Sequence, residues 1–159
     1  MTAGTSAERT ADTVRADPLL AGVVRAEPLL AGVVQLSRGW LDAPRRLVEV
    51  LVLSPLAVLP ALHGRGIGAS LVRAAITRAG ELDTPLLFLE GSPRYYPRFG
   101  FEPAGRHGFL RPSLRIPEPA FQVLRLPARQ DWMVGALVYP DPFWRHDSVG
   151  LRETLGQAH

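Results

Sequence analysis

The chain has 159 residues, 47% of them apolar and 21% charged, proportions of a globular protein able to bury roughly 70% of the surface its unfolded chain exposes. Its formal charge is only +3, and all 18 basic residues are scattered arginines with no basic stripe or interleaved aromatic ladder, which argues against a nucleic-acid partner. There is no Cys, and the four His show no ligand spacing, so disulfides and thiolate chemistry are excluded and no metal site is expected.

Residues 1–14 are polar and lack the apolar core of a signal peptide, so a flexible N-terminus and a cytoplasmic location are expected. Residues 15–159 read as a single domain. It opens on a tandem repeat, "RADPLLAGVV" (15–24) and "RAEPLLAGVV" (25–34). Two ten-residue copies are too few for a solenoid, and the turn-like "RAEP" between two apolar stretches predicts a hairpin, with strands at about 19–24 and 29–37. "SRGWLDAPRR" (37–46) reads as a loop. "LVEVLVLSPLAV" (47–58) reads as a long central strand, distorted or short of a partner at Pro55, which has no N–H to give a ladder. The apolar run that contains it carries Glu49, Ser54 and two prolines, so it is no membrane span.

From about Gly66 to Leu82 the apolar residues Ile67, Leu71, Val72, Ala75, Ile76, Ala79 and Leu82 recur at helical spacing. "DTP" ends that helix and "LLFLE" (86–90) is a short buried strand. "GSPRYYPRFG" predicts a short helix, with Ser92 as cap, Pro93 in the first turn and Gly100 at the end. Strands at 120–126 and 133–139 and an irregular, partly helical tail complete a mixed α/β (α+β mixed-sheet) domain.

The helix begins inside "HGRGIGA", residues 63–69. Glycines there let an anion approach unpaired first-turn amides at the positive end of the helix dipole. The stretch Gly64 to Ala69 also fits G-x-G-x-x-A, the dinucleotide fingerprint, with Glu90 about 20 residues on. However, "LPALH" separates the strand from the first glycine, and residues 100–159 hold no second long amphipathic helix for a repeated βαβ unit. A Walker loop needs a Lys, which the chain lacks.

"PLAVLPALHGRGIGASLVRAA" resembles the acetyl-CoA signature of the GNAT N-acetyltransferases, Q/R-x-x-G-x-G/A, with His63 where the pattern has Gln or Arg. "LEGSPRYYPRFGFEPAG" resembles the segment ending in Tyr-x-x-x-Gly-Phe of many members, and both segments together resemble the bacterial YhbS-like branch. The resemblance implies the GNAT fold, with the central strand and "LLFLE" parallel but splayed. Acetyl-CoA would enter the gap as co-substrate, its pantetheine on the strand edge at Leu56, Ala57 and Val58. Its pyrophosphate would sit on the turn formed by His63, Gly64, Arg65, Gly66, Ile67, Gly68 and Ala69. The family's usual first strand and helix are absent ahead of the repeat, which implies an N-terminally shortened fold and predicts a homodimer that covers the open side.

Acetyl transfer to a primary amine needs a base, because a free alkyl ammonium has a pKa of about 10.4, and an acid for the departing thiolate. The resemblance makes Tyr96, four residues before Gly100, the acid. For the base, Glu49 on the central strand and Glu90 at the end of "LLFLE" are the candidates. Trp40, Trp132 and Trp144 are candidates to line an acceptor pocket. The acceptor is open: a small molecule or a peptide amine. The rival readings are a non-catalytic acyl-CoA-binding module and a dinucleotide-binding protein.

Overall fold

The computed structural model describes residues 20–26 and 29–152; the expected flexible segment 1–14 and the start of the first repeat copy lie outside them. β1 (Leu20–Ala26) and β2 (Leu29–Asp42) run antiparallel, from Leu20 opposite Gln35 to Ala26 opposite Leu29, with register shifts between Leu20 and Gly22 and between Val24 and Arg25. β3 (Leu47–Val58), α1 (Ile67–Glu81), β4 (Leu86–Glu90), β5 (Glu102–Pro103), β6 (Phe109–Leu110), β7 (Phe121–Arg125), β8 (Gly135–Val138) and α2 (Asp141–Arg145) follow. The strands form one mixed sheet in the order β5-β7-β4-β3-β2-β8-β6, with β1 added to β2 off that path.

The loop expected at 37–46 is a strand as far as Asp42. Residues 37–42 pair with β3 from Ser37 opposite Val52 to Asp42 opposite Leu47, and β8 takes the other edge at Trp40, Leu41 and Asp42. Pairing on both edges overrides the turn-like composition of "SRGWLD". The short helix expected after β4 contracts to a 3-10 turn at Tyr96–Phe99, ended by Gly100 at φ 96°. Pro97, inside that turn, has no N–H to donate and caps the helical run at this length. Ser92, expected as its cap, lies ahead of it: the N-cap is Tyr95, with no side-chain cap bond, and the Ser92 Oγ accepts from the Arg94 amide at 3.2 Å in the preceding loop.

Alternation along the strands builds two cores, one on each face of the sheet. On one face Leu51, Leu53, Leu87 and Leu89 pack under the buried stripe of α1, Ile67, Leu71, Val72, Ala75 and Ala79. On the other, Val48, Val50, Val52, Leu86 and Phe88 pack against Phe109, Phe121 and Leu137, closed over by Ile116, Met133, Tyr139 and Val149. α1 crosses from the end of β3 back to β4, so the two strands are parallel neighbours, as a crossover helix requires.

Candidate active site

β3 and β4 stay together only briefly. Their pairing consists of Leu51 opposite Leu87 and Val52 opposite Phe88; beyond Val52, β3 continues for six more residues with β2 alone. The Ser54–Pro55 peptide is cis, and the β2–β3 register shifts between Val34 and Leu36, opposite it. The distortion expected at Pro55 is therefore present, at the point where β3 leaves β4.

The direction of the backbone on the freed stretch follows from one hydrogen bond. The Leu59 amide donates to the Ala31 carbonyl at 2.8 Å, so residues 59 and 57 turn their polar groups toward β2 and residues 58 and 56 turn theirs away. The open edge of β3 is thus made by Leu56 and Val58. Ala57, expected to share in it, pairs with Val33 instead. His63 closes the loop after β3: its Nε2–H donates to the Val58 carbonyl at 2.9 Å. That bond gives the imidazole a local job at the position where the family pattern has Gln or Arg.

Opposite this edge stands the N-terminus of α1. Gly66, its cap, has φ 77°, and Gly64 has φ 78°; only glycine adopts this left-handed conformation without strain. A Cβ at either position would meet nothing within 4 Å, so these glycines are set by the turn and border open space. The first intrahelical bond runs from the Ser70 amide to the Gly66 carbonyl, and no side chain caps the helix. The amides of Ile67, Gly68 and Ala69 are therefore the helix's free donors, and the first turn carries no acidic residue to oppose an anion.

The edge and the amides face each other across a cleft of about 550 Å³, with Leu56, Val58 and Leu62 on one side and His63, Gly64 and Gly66 to Ala69 on the other. Tyr95 and Arg98 form its third wall. The Tyr95 hydroxyl sits over Gly68, 3.1 Å from where a Cβ would be. Arg98 holds that ring: its Nε–H donates to the Tyr95 carbonyl at 2.9 Å and its guanidinium lies 4.6 Å from the ring centroid. Arg65 is exposed and does not line the cleft.

Tyr96 points elsewhere. Its ring lies on Gly91, just past β4, so closely that a Cβ there would come within 2.5 Å of Cε2. It meets Tyr95 edge-on at 5.0 Å and Phe101 at 5.9 Å. Burial, with Tyr95 beside it, pushes its phenol above the ordinary tyrosine range.

The two candidate carboxylates part company. Glu49 lies on the paired stretch of β3, on the far side of the splay from the cleft, and forms a 3.2 Å ion pair with Arg38 in which both side chains are more than half exposed. Glu90 ends β4 beside the splay, with Leu86 and Phe88 on the face opposite α1. It accepts from the Gly150 amide at 3.3 Å and the Tyr139 hydroxyl at 3.4 Å. Desolvation raises its pKa above the usual carboxylate value, opposed by those hydrogen bonds and by Arg115. None of the three Trp lines the cleft: Trp40 is exposed on the sheet, Trp132 lies under Arg45 and Arg46, and the Trp144 indole donates to the Tyr139 carbonyl at 3.2 Å.

Sequence reasoning missed Tyr95 and Arg98 as cleft residues, since spacing alone does not say which of two adjacent tyrosines faces the helix. It also passed over Gln122, the one polar residue in the buried start of "FQVLR". Among the described residues no cluster of three or more His, Asp or Glu could hold a metal, and no helix is long and apolar enough to cross a membrane.

A splayed parallel strand pair with a glycine-bordered helix N-terminus at its open end is the architecture of an acyl-CoA N-acyltransferase fold. Residues 21–103, more than half of the chain, match the model of the acetyltransferase (GNAT) domain, and the chain belongs to that family. It is 39% identical over 82 residues to YjhQ of Escherichia coli K12, an uncharacterized N-acetyltransferase, covering 51% of this chain and 42% of that protein. The chain thus spans under half the length of that curated relative. Among solved structures it is similar to the GNAT family N-acetyltransferase YhbS of Escherichia coli in complex with CoA, with TM-score 0.70 and 27% identity over 87% of this chain and 77% of that one. A Brucella melitensis GNAT acetyltransferase in complex with acetyl-CoA shares the fold at TM-score 0.59 and 24% identity, over 89% of this chain and 80% of that one.

Proposed function

We propose that this protein is an N-acetyltransferase that moves the acetyl group of acetyl-CoA to a primary amine. The observation that carries the reading is the juxtaposition of a strand edge free of β4 at Leu56 and Val58, where His63 engages the Val58 carbonyl, with the free first-turn amides of Ile67, Gly68 and Ala69 across one cleft. A strand edge pairs with the amides of an extended pantetheine, and a helix N-terminus takes a pyrophosphate. The CoA complex of YhbS, at 27% identity, supports the same ligand here.

In this reading the cleft orients the donor so that its thioester lies where β3 and β4 part. The amine nitrogen attacks the thioester carbonyl carbon, the C–S bond breaks, and the sulfur takes a proton as it leaves. Tyr96, beside β4 at the splay, is assigned as the donor of that proton. Tyr95 is assigned to the cleft wall, where its hydroxyl and ring hold the mouth at Gly68.

The amine must first shed its own proton. Glu90 is better placed for this than Glu49, because it stands at the splay and on the sheet face opposite α1, from which an acceptor would approach. Its raised pKa makes it a stronger base than an ordinary carboxylate.

Calorimetry with CoA, followed by thiol release from acetyl-CoA in the presence of a panel of primary amines, tests the reading. CoA should bind and NAD should not compete. Saturating CoA, at 100 times its dissociation constant, should add about 2.7 kcal/mol to stability. CoA binding with no turnover on any amine would leave only an acyl-CoA-binding module. A thermal shift with NAD and none with CoA would overturn the assignment.

A further inference from the structure

Gln122 is the most deeply buried polar side chain near the splay, 1% exposed on β7. Phe121 and Val123 on either side face the core away from α1, so alternation turns Gln122 to the α1 face, opposite Leu89 of β4. Its Nε2 donates to two successive carbonyls, Gly91 at 3.1 Å and Ser92 at 3.3 Å. Two acceptors on one side fix the amide's orientation, since only the NH₂ end can face both. The other end, Oε1, is buried without a partner. A buried polar atom left in that state costs stability, and a Leu or Met at this site on a buried strand would avoid the cost. The side chain's two bonds therefore serve the segment they hold.

That segment is where Tyr96 rests. The Tyr96 ring occupies the space a Cβ on Gly91 would need, so the path of the backbone at Gly91 sets the position of the ring. The Gly91 amide is tied to the Ala120 carbonyl at 2.9 Å. With Gln122 on its carbonyl, Gly91 is held from both sides by the start of β7 and the residue before it. The Ser92 Oγ in turn accepts from the Arg94 amide, and the chain passes directly to Tyr95 and Tyr96.

We infer that Gln122 is a positioning residue for acetyl transfer, which fixes Gly91 and Ser92 so that the Tyr96 phenol stands at the splay of β3 and β4. The inference rests on the assignment of Tyr96 as the proton donor. It adds that the donor's place is set from β7, a strand that contributes nothing to the cleft wall.

Gln122→Met keeps the length of the side chain and removes both donors. It should lower kcat by roughly 10- to 100-fold and leave the KM for acetyl-CoA within about threefold, because the cleft walls do not depend on Gln122. Gly91→Ala perturbs the same contact from the other side, by pushing the ring directly, and should give the same split. It also keeps the idea testable if Gln122→Met folds poorly.

Two further measurements separate this inference from the one beneath it. In protein labelled with ¹³C in the tyrosine rings, the Tyr96 resonance, identified by its loss in Tyr96→Phe, should shift in Gln122→Met and in Gly91→Ala. A Tyr96 resonance unmoved in Gln122→Met overturns the positioning role, whatever the kinetics. The double variant Gln122→Met/Tyr96→Phe should turn over no more slowly than Tyr96→Phe alone, because Gln122 acts through that phenol; multiplied losses overturn the inference. Wild-type turnover in Tyr96→Phe would instead sink the assignment of the acid, with the resonance shift still reporting on Gln122.

Discussion

Replacing Gly66 by Ala and by Glu separates two properties of the turn before α1, its conformation and its electrostatics. Gly66 sits at φ 77° with open space where a Cβ would go, so Ala adds left-handed strain and no clash. That strain costs about 1–2 kcal/mol, and each kcal/mol lowers Tm by about 2–4 °C in a domain of this size. Glu adds the same strain plus a negative charge at the mouth. If its carboxylate lies about 5 Å from a phosphate charge, an effective dielectric of about 20 gives ~3 kcal/mol of repulsion. The site is exposed and the side chain can swing away, so roughly half of that survives, a loss of about 10-fold in CoA affinity relative to Ala. Calorimetry on the two variants at low and at about 1 M salt is the assay, since screening over ~3 Å at 1 M should remove most of the difference. Equal CoA affinity in the two variants at low salt would show that no phosphate lies near this helix end. A difference that persists undiminished at high salt would show that bulk, and not charge, is responsible.

Tyr96→Phe should cut kcat by about 10² to 10⁴ with CoA affinity nearly unchanged, whereas Tyr95→Phe, which alters the cleft wall, should change CoA affinity more than kcat; stopped assays with and without saturating acetyl-CoA read both. Glu90 has a folded-state pKa raised by desolvation above its ordinary 4.5, so folding favours its protonated form. Its contribution to stability is greatest below the unfolded value and is lost as pH rises through the raised folded value. Glu90→Gln should flatten that part of the urea-measured stability profile, and an unchanged profile would refute the sign. Phe88 is fully buried, edge-on to Phe109 at 5.2 Å and stacked on Phe121 at 5.7 Å. Phe88→Ala should cost about 3–5 kcal/mol in urea unfolding, while a loss under about 1 kcal/mol would mean that this core repacks around the gap.

Much of the scaffold was legible because it follows short-range rules. The apolar stripe of Ile67, Leu71, Val72, Ala75 and Ala79 announces α1, and its burial against β3 and β4 is what that stripe predicts. Pro55 announces a break in the ladder of β3, and the splay lies there. What was not legible depends on partners far away in sequence. Residues 37–42 look like a turn and become strand because β3 pairs with all of them and β8, nearly a hundred residues later, takes the other edge at Trp40, Leu41 and Asp42. The same holds at the site. Glu49 and Glu90 are equivalent as strand carboxylates, and only the extent of β3–β4 pairing puts one on the closed part of the sheet and the other at its opening.

The two adjacent tyrosines show how one short turn can serve both sides of such a site. Consecutive residues in a 3-10 turn point about 120° apart, so Tyr95 and Tyr96 face different neighbours. Pro97 and Gly100 keep the turn to Tyr96–Phe99, and this fixes the divergence: Tyr95 goes to Gly68 on α1, Tyr96 to Gly91 beyond β4. Each ring rests on a glycine, Gly68 in the first turn of α1 and Gly91 just past the end of β4. The short turn thus sets one ring against α1 at the cleft and its neighbour against Gly91. Phe99 packs against both rings and Phe101 against Tyr96, so the pair is set as a unit. A substitution that shifts one tyrosine should accordingly be felt at the other.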